Sequence, residues 1–187
     1  MGIQVNLHRA LKRITNRTKN NQPCYGLFID FSNAYNSVPH TLLFRKLRTK
    51  GIFTEEEIQF LEALYSRYTI KLGKEYIRSN KGVAQGSIIS PALFNIFVED
   101  LAETLQKETG IPLDDLLFYA DDLLTLSSNQ NQLKKCIQII EEWSNANGMS
   151  LNKKKSAIVT FSGRRKRNIP DLGCACSEAI QIFRHNP

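Results

Sequence analysis

The sequence has 187 residues, 42% of them hydrophobic, and a formal net charge of +7, which fits one domain, or one and a fraction, with a normal core. Its apolar stretches are too short for a membrane span, and the basic, broken N-terminal segment lacks the apolar run of a signal peptide. Asn6 stands where an N-myristoylation signal requires Ser or Thr.

Residues 5–18 have helical spacing, with Val5, Leu7, Leu11 and Ile14 as the apolar positions, and Asn20-Asn21-Gln22-Pro23 breaks the pattern. Residues 25–31 read as a buried strand. Ser37-Val38-Pro39 turns the chain into a helix over 40–50 that Gly51 stops. Thr54-Glu55-Glu56-Glu57 is a capping box, followed by a stripe of Ile58, Leu61, Leu64 or Tyr65, and Tyr68. Residues 69–72 and 76–78 flank Gly73-Lys74-Glu75 as a short hairpin. Ser90-Pro91 opens a helix, with Ser90 as N-cap and Leu93, Phe94, Phe97, Leu101 and Leu105 on its apolar face. Residues 116–126 form a second hairpin, 131–147 an amphipathic helix closed by Gly148, and 156–161 a last strand. From Gly163 the chain turns basic and then loop-like. The order predicts an α+β fold, with helices packed on one face of a small, mainly antiparallel sheet.

Charge is uneven along the chain. Residues 1–29 carry five Lys or Arg and no acid, and residues 145–170 carry seven and no acid. Cationic ends around an acid-bearing centre suit a polyanion lying over a metal site, and solvated surface charge is the plainer alternative. Cys24, Cys136, Cys174 and Cys176 form no CxxC pair, so reduced structural thiols in an intracellular protein are the preferred reading over a zinc site at Cys174-Ala175-Cys176.

Asp121 and Asp122 sit between Leu116-Leu117-Phe118-Tyr119 and Leu123-Leu124-Thr125-Leu126, near the tip of the second hairpin. Adjacent anions repel, so a fold that holds them there gains from a hard cation such as Mg²⁺, which takes oxygen ligands. Asp30 follows Tyr25-Gly26-Leu27-Phe28-Ile29 in a similar setting. With those strands side by side, three acids converge on one sheet edge, the ligand set of two-metal phosphoryl transfer. For Asp121-Asp122 alone, the bland reading is a polar turn tip.

Four segments carry a resemblance. Phe28-Ile29-Asp30-Phe31-Ser32-Asn33-Ala34-Tyr35-Asn36-Ser37-Val38 resembles the first palm motif of reverse transcriptases. Gly82-Val83-Ala84-Gln85-Gly86-Ser87-Ile88-Ile89-Ser90-Pro91-Ala92-Leu93-Phe94-Asn95-Ile96 resembles the second, Phe118-Tyr119-Ala120-Asp121-Asp122 the third, and Gly148-Met149-Ser150-Leu151-Asn152-Lys153-Lys154-Lys155-Ser156 the fourth. They follow in the family's order, and the second is most similar to enzymes of retrotransposons lacking long terminal repeats. The resemblance implies a polymerase-type palm over 1–162, with a basic C-terminal segment over 163–187.

It also implies roles. Asp30 and Asp121 would bridge two Mg²⁺ ions, with Mn²⁺ as a substitute, and Asp122 would support them. Phe31 would offer its carbonyl as a further ligand. Tyr35 would sit beneath the nucleotide sugar and exclude a ribose, and a core tyrosine is the alternative. Gln85 would hydrogen-bond near the incoming nucleotide, and Gly86 would let the backbone pass close to it. Lys155 would protonate the departing pyrophosphate, with Lys153 and Lys154 close enough to blur the choice. Arg164, Arg165, Lys166 and Arg167 read as a phosphate contact, a nuclear import signal or solvated charge.

The implied partners are an RNA template, a DNA primer and deoxynucleoside triphosphates, with no membrane. A parent polyprotein would supply fingers, thumb and endonuclease, in the nucleus or the cytoplasm. The chain departs from the family at Asn36, where many relatives carry Asp, a change expected to alter a turn. Rival readings are a group II intron or retron relative, a silent nucleic-acid-binding remnant, and a metal-dependent nuclease. The last leaves Tyr35 and Gln85-Gly86 without a purpose.

Overall fold

The computed structural model describes residues 3–161, so the basic run at 164–167, Cys174 and Cys176 lie outside the described residues. In chain order the helices are α1 (Ile3–Lys19), α2 (Ala34–Ser37), α3 (His40–Lys50), α4 (Glu55–Ser66), α5 (Ser90–Thr109) and α6 (Gln130–Ala146). The strands are β1 (Cys24–Asp30), β2 (Thr69–Leu72), β3 (Glu75–Arg78), β4 (Leu116–Tyr119), β5 (Asp122–Ser127) and β6 (Ala157–Phe161). The described residues divide between two compact units, the first comprising residues 3–32, 101–143 and 151–161, the second residues 33–100 and 144–150.

The first unit is built on an antiparallel sheet of order β4-β5-β1-β6. Register pairs Ile29 with Leu123 and Leu27 with Thr125, so these side chains share one face, and all four are buried. Trp143 of α6 meets Phe31 edge-on at 6.2 Å, and Gln132 of α6 pairs with Ser127. Alternation puts Phe31 and Ser127 on that same face, so α6 covers it.

The small antiparallel sheet with helices matches the expected α+β palm, with one addition: α1 lies on the opposite face. Ala10 packs there with Leu117 and Leu126, flanked by Ile14, Leu124 and Phe161. The helix is therefore rotated from its expected orientation, since Val5, Leu7 and Leu11 are 42%, 56% and 54% exposed. The face turned inward is Asn6, Ala10, Ile14 and Arg17. Ala10 is small enough for close approach. Asn6 donates to the carbonyl of Phe118 at 2.9 Å, and Arg17 donates to Asp115, in the 3₁₀ turn before β4, at 2.6 Å. Polar anchors override apolar spacing here.

The second unit packs α3, α4 and the first half of α5, with the β2–β3 hairpin as a separate ribbon. The expected capping box forms: the Thr54 hydroxyl accepts from the Glu57 amide, and the Glu57 carboxylate accepts from the Thr54 amide. Of the two candidates on the α4 stripe, Tyr65 is buried and Leu64 exposed. Ser90 is not the expected cap. It is the first helical residue, and its buried hydroxyl donates to the carbonyl of Ala84 at 2.7 Å, fastening the preceding loop.

Candidate active site

β1 and β5 are the two central strands of the first unit, and their register ends with Asp30 opposite Asp122. Directly opposed antiparallel residues point to one face with Cβ atoms about 5 Å apart, so these carboxylates are neighbours. Tyr119 pairs with Asp122 across β4 and β5, leaving Ala120 and Asp121 as a two-residue turn. Ala120 takes φ 51, unusual for a residue with a side chain.

The charges interact. Asp122 is held above the ordinary carboxylate range by partial desolvation, then by the anions of Asp121 and Asp30, with Lys155 pulling the other way. The Nζ of Lys155 lies 3.8 Å from a carboxylate oxygen of Asp30. Lys153 instead pairs with Glu141 at 2.9 Å, which separates two of the three lysines that the sequence leaves blurred.

A tight turn supports this corner. The Asn152 amide donates to the Asp30 carbonyl at 2.8 Å, and its side-chain nitrogen reaches an Asp30 carboxylate oxygen at 3.4 Å. The Asp30 amide donates to the Ser156 hydroxyl, which donates in turn to the Asn152 carbonyl at 3.0 Å. Phe31 makes an isolated bridge to Leu151 and is buried. Asn152 and Ser156 lie within the fourth motif, where the resemblance assigns neither a role. An Asn with turn chemistry just before a lysine run is the signal that could have found them.

A cavity of about 490 Å³ opens beside the acids on the α1 face, lined by Leu7, Leu117, Tyr119, Leu124, Asp30 and Lys155 among others. Among the described residues, no three acidic, histidine or cysteine side chains close into a metal cage. The three expected acids thus interact through their charges but do not form a closed donor shell. That arrangement fits Mg²⁺, which is ordinarily held by one or two carboxylates, waters and substrate phosphates.

The second unit holds the other expected residues. Tyr35, in α2, stacks on Phe94 with ring centroids 4.8 Å apart and planes 10° from parallel. Its carbonyl accepts from the Val83 amide at 2.7 Å, so it is tied to the loop that carries Gln85 and Gly86. Both loop residues are exposed, and Gly86 takes φ +81 with open space where a Cβ would stand. Gly82, at φ +99, lets the loop pass Asn36, whose carbonyl oxygen would lie 3.3 Å from an added Cβ. The Gly82 carbonyl meets Nε2 of the buried His40 at 2.8 Å.

An antiparallel sheet whose two central strands end in opposed acids defines a polymerase-type palm. The family profile described as reverse transcriptase (RNA-dependent DNA polymerase) matches residues 4–176, and the chain belongs to that family. Its members use divalent metal ions.

The RNA-directed DNA polymerase from the mobile element jockey of Drosophila melanogaster is 25% identical over 87% of this chain and 19% of its own length. A Pol polyprotein from the type-1 retrotransposable element R2 of Popillia japonica is 31% identical over 72% of this chain and 20% of its own length. The chain thus spans about a fifth of these relatives. The telomerase of Candida tropicalis truncated from its C-terminal domain superposes with a TM-score of 0.63 over 91% of this chain and 37% of that one, at 19% identity, which shows the shared fold.

Proposed function

We propose that the chain carries the nucleotidyl-transfer centre of an RNA-directed DNA polymerase, which adds a deoxynucleotide to a primer 3′-hydroxyl by in-line attack on the α-phosphate. The observation that carries this reading is the opposition of Asp30 and Asp122 across the central strands, with Lys155 close by. The family match and the names of the jockey and R2 relatives support RNA as template and a larger polyprotein as the setting.

Asp30, Asp121 and Asp122 are the residues that would hold two Mg²⁺ ions, or Mn²⁺ in their place, with the Phe31 carbonyl as a further oxygen. Bound there, the metal would acidify the primer hydroxyl and offset charge on the departing pyrophosphate. The Asn152 turn fixes the rotamer of Asp30. Lys155, with its Nζ 3.8 Å from the Asp30 carboxylate, is the general acid of this reading. In the second unit, the Tyr35 ring is braced flat by Phe94, as a steric gate against a ribose requires, and Gln85-Gly86 offers exposed polar backbone to a nucleotide.

The test is primer extension on poly(rA)–oligo(dT) with Mg²⁺ or Mn²⁺, comparing this chain with Asp30→Asn and Asp121→Ala, alongside Mn²⁺ binding read by electron paramagnetic resonance. The expected result is loss of both extension and tight Mn²⁺ binding in the variants. Equal extension and equal Mn²⁺ affinity in parent and variants would remove the assignment.

A further inference from the structure

The β2–β3 ribbon belongs to the second unit and has no place in the scheme above. Its strands pair Thr69 with Arg78 and Lys71 with Tyr76, closed by a turn at Gly73, φ +63, and Lys74. Paired residues share a face, and alternate residues along a strand share it too. One face of the ribbon therefore carries Thr69, Lys71, Tyr76 and Arg78, while Glu75 and Ile77 fall on the other.

Every residue of β3 is exposed, and Tyr76 is 69% exposed, so its ring does not serve the core. Among the described residues, Lys71, Lys74 and Arg78 form no ion pair. An isolated two-stranded ribbon is marginal in water. This one displays cations on either side of an aromatic ring and turns its lone acid away.

We infer that this face is a docking surface for single-stranded RNA. Tyr76 offers a stacking platform for a base, and Lys71 and Arg78 meet the flanking phosphates. Aromatic rings set between cations are how sequence-tolerant single-strand binding is built, because every base has a π-face and every linkage an anion. A protein partner would need an apolar patch larger than one ring, and a duplex gives Tyr76 no free base to stack.

The inference rests on the reading of the chain as a protein that handles nucleic acid, but not on catalysis. The experiment is fluorescence anisotropy of a labelled uridine homopolymer with the full 187-residue chain, over a salt series and without divalent metal. Stacking is worth about 1–3 kcal/mol per base, so Tyr76→Ala is expected to weaken binding about tenfold, and Tyr76→Phe to keep it. Lys71→Gln with Arg78→Gln should lower the slope of log affinity against log salt by about 1.4, from about 0.7 per single-strand phosphate contact. Lys134→Gln, an exposed change on α6, should bind like the parent.

Tyr76→Ala binding as tightly as the parent overturns the proposal, as does Lys134→Gln weakening binding as much as the ribbon changes. Binding of poly-glutamate with the same sensitivity to Tyr76→Ala overturns RNA as the occupant. Equal extension by the parent and the Asp30→Asn variant, with RNA binding still sensitive to Tyr76→Ala, would remove the catalytic assignment and leave the ribbon standing.

Discussion

Asn152 holds Asp30 by two bonds, a backbone amide on its carbonyl at 2.8 Å and a side-chain nitrogen on its carboxylate at 3.4 Å. The first bond survives substitution and the second does not. Asn152 is therefore a positioning residue that sets the rotamer of a carboxylate. A hydrogen bond to a charged group is worth about 1.5 kcal/mol or more, and the length of this one puts it at the low end. Asn152→Ala is expected to lower Mn²⁺ affinity and extension rate about fivefold to tenfold while melting near the parent temperature. Asn152→Asp, whose like charge repels the Asp30 carboxylate, should lose more extension than Asn152→Ala. A purely structural role would change the melt and leave Mn²⁺ affinity alone.

The clamp between α1 and the 3₁₀ turn is a second test. The carboxylate of Asp115 is 1% exposed and lies 2.6 Å from Arg17 and 3.4 Å from Arg13. Breaking a buried pair leaves a charge without compensation, at a cost of about 3–5 kcal/mol. Arg17→Met should therefore destabilise by about 3 kcal/mol in urea melts. The double change Arg17→Met with Asp115→Leu should recover most of that loss. Because α1 walls the cavity beside Asp30, the single variant should also bind Mn²⁺ more weakly.

Much of this architecture is legible in the sequence, and the exceptions share a cause. Long apolar periodicities gave α5 and α6 their extents and faces, because Leu93, Phe97, Leu101, Leu133 and Ile140 leave no second way to bury themselves. The convergence of the acids was legible because two sit at a hairpin tip and the third at the end of a strand. Side-chain hydrogen bonding was not legible. Spacing alone turns Val5, Leu7 and Leu11 of α1 inward, whereas Asn6 and Arg17, bonded to Phe118 and Asp115, set the helix the other way. Ser90 looks like a cap by position, and only its distance to Ala84 shows that it latches a loop. Partners more than a hundred residues apart, such as Asn152 and Asp30, leave no periodic trace.

Cys136 supplies a pH dependence remote from the acids. Burial pushes its thiol from 9.0 to about 11, against a smaller opposing bond with Thr109. Below pH 9.0 the thiol is protonated in both folded and unfolded chains, and its contribution is fully present. Between 9.0 and about 11 the unfolded chain loses the proton first, so stability falls as pH rises across that window. The loss is on the order of 2 kcal/mol. Melting temperatures of the parent should drop more steeply through this range than those of Cys136→Ala, although the variant starts lower from its lost packing. Parallel slopes would show that the thiol does not titrate differently in the two states. Alkylation of Cys136 by iodoacetamide at neutral pH should need local opening and so run far slower than for a free thiol.

Ala120 links stability and activity with opposite signs. It takes φ 51 at the first position of the turn that presents Asp121 and Asp122. An L-residue in the left-handed region costs about 1–2 kcal/mol, and glycine removes that strain while adding about 0.4–1 kcal/mol of unfolded-state entropy. Ala120→Gly should therefore gain up to about 1 kcal/mol in urea melts. The same change loosens the tip whose placement sets the acids, and misplacement of reacting groups is costly to rate. Extension should fall about tenfold while Mn²⁺ affinity falls less, because Asp30 and Asp122 remain paired through β1 and β5. Ala120→Val, β-branched at a positive φ, should lose both stability and activity. A glycine variant that is stabilised and fully active would show that the turn's strain has no part in holding the acids.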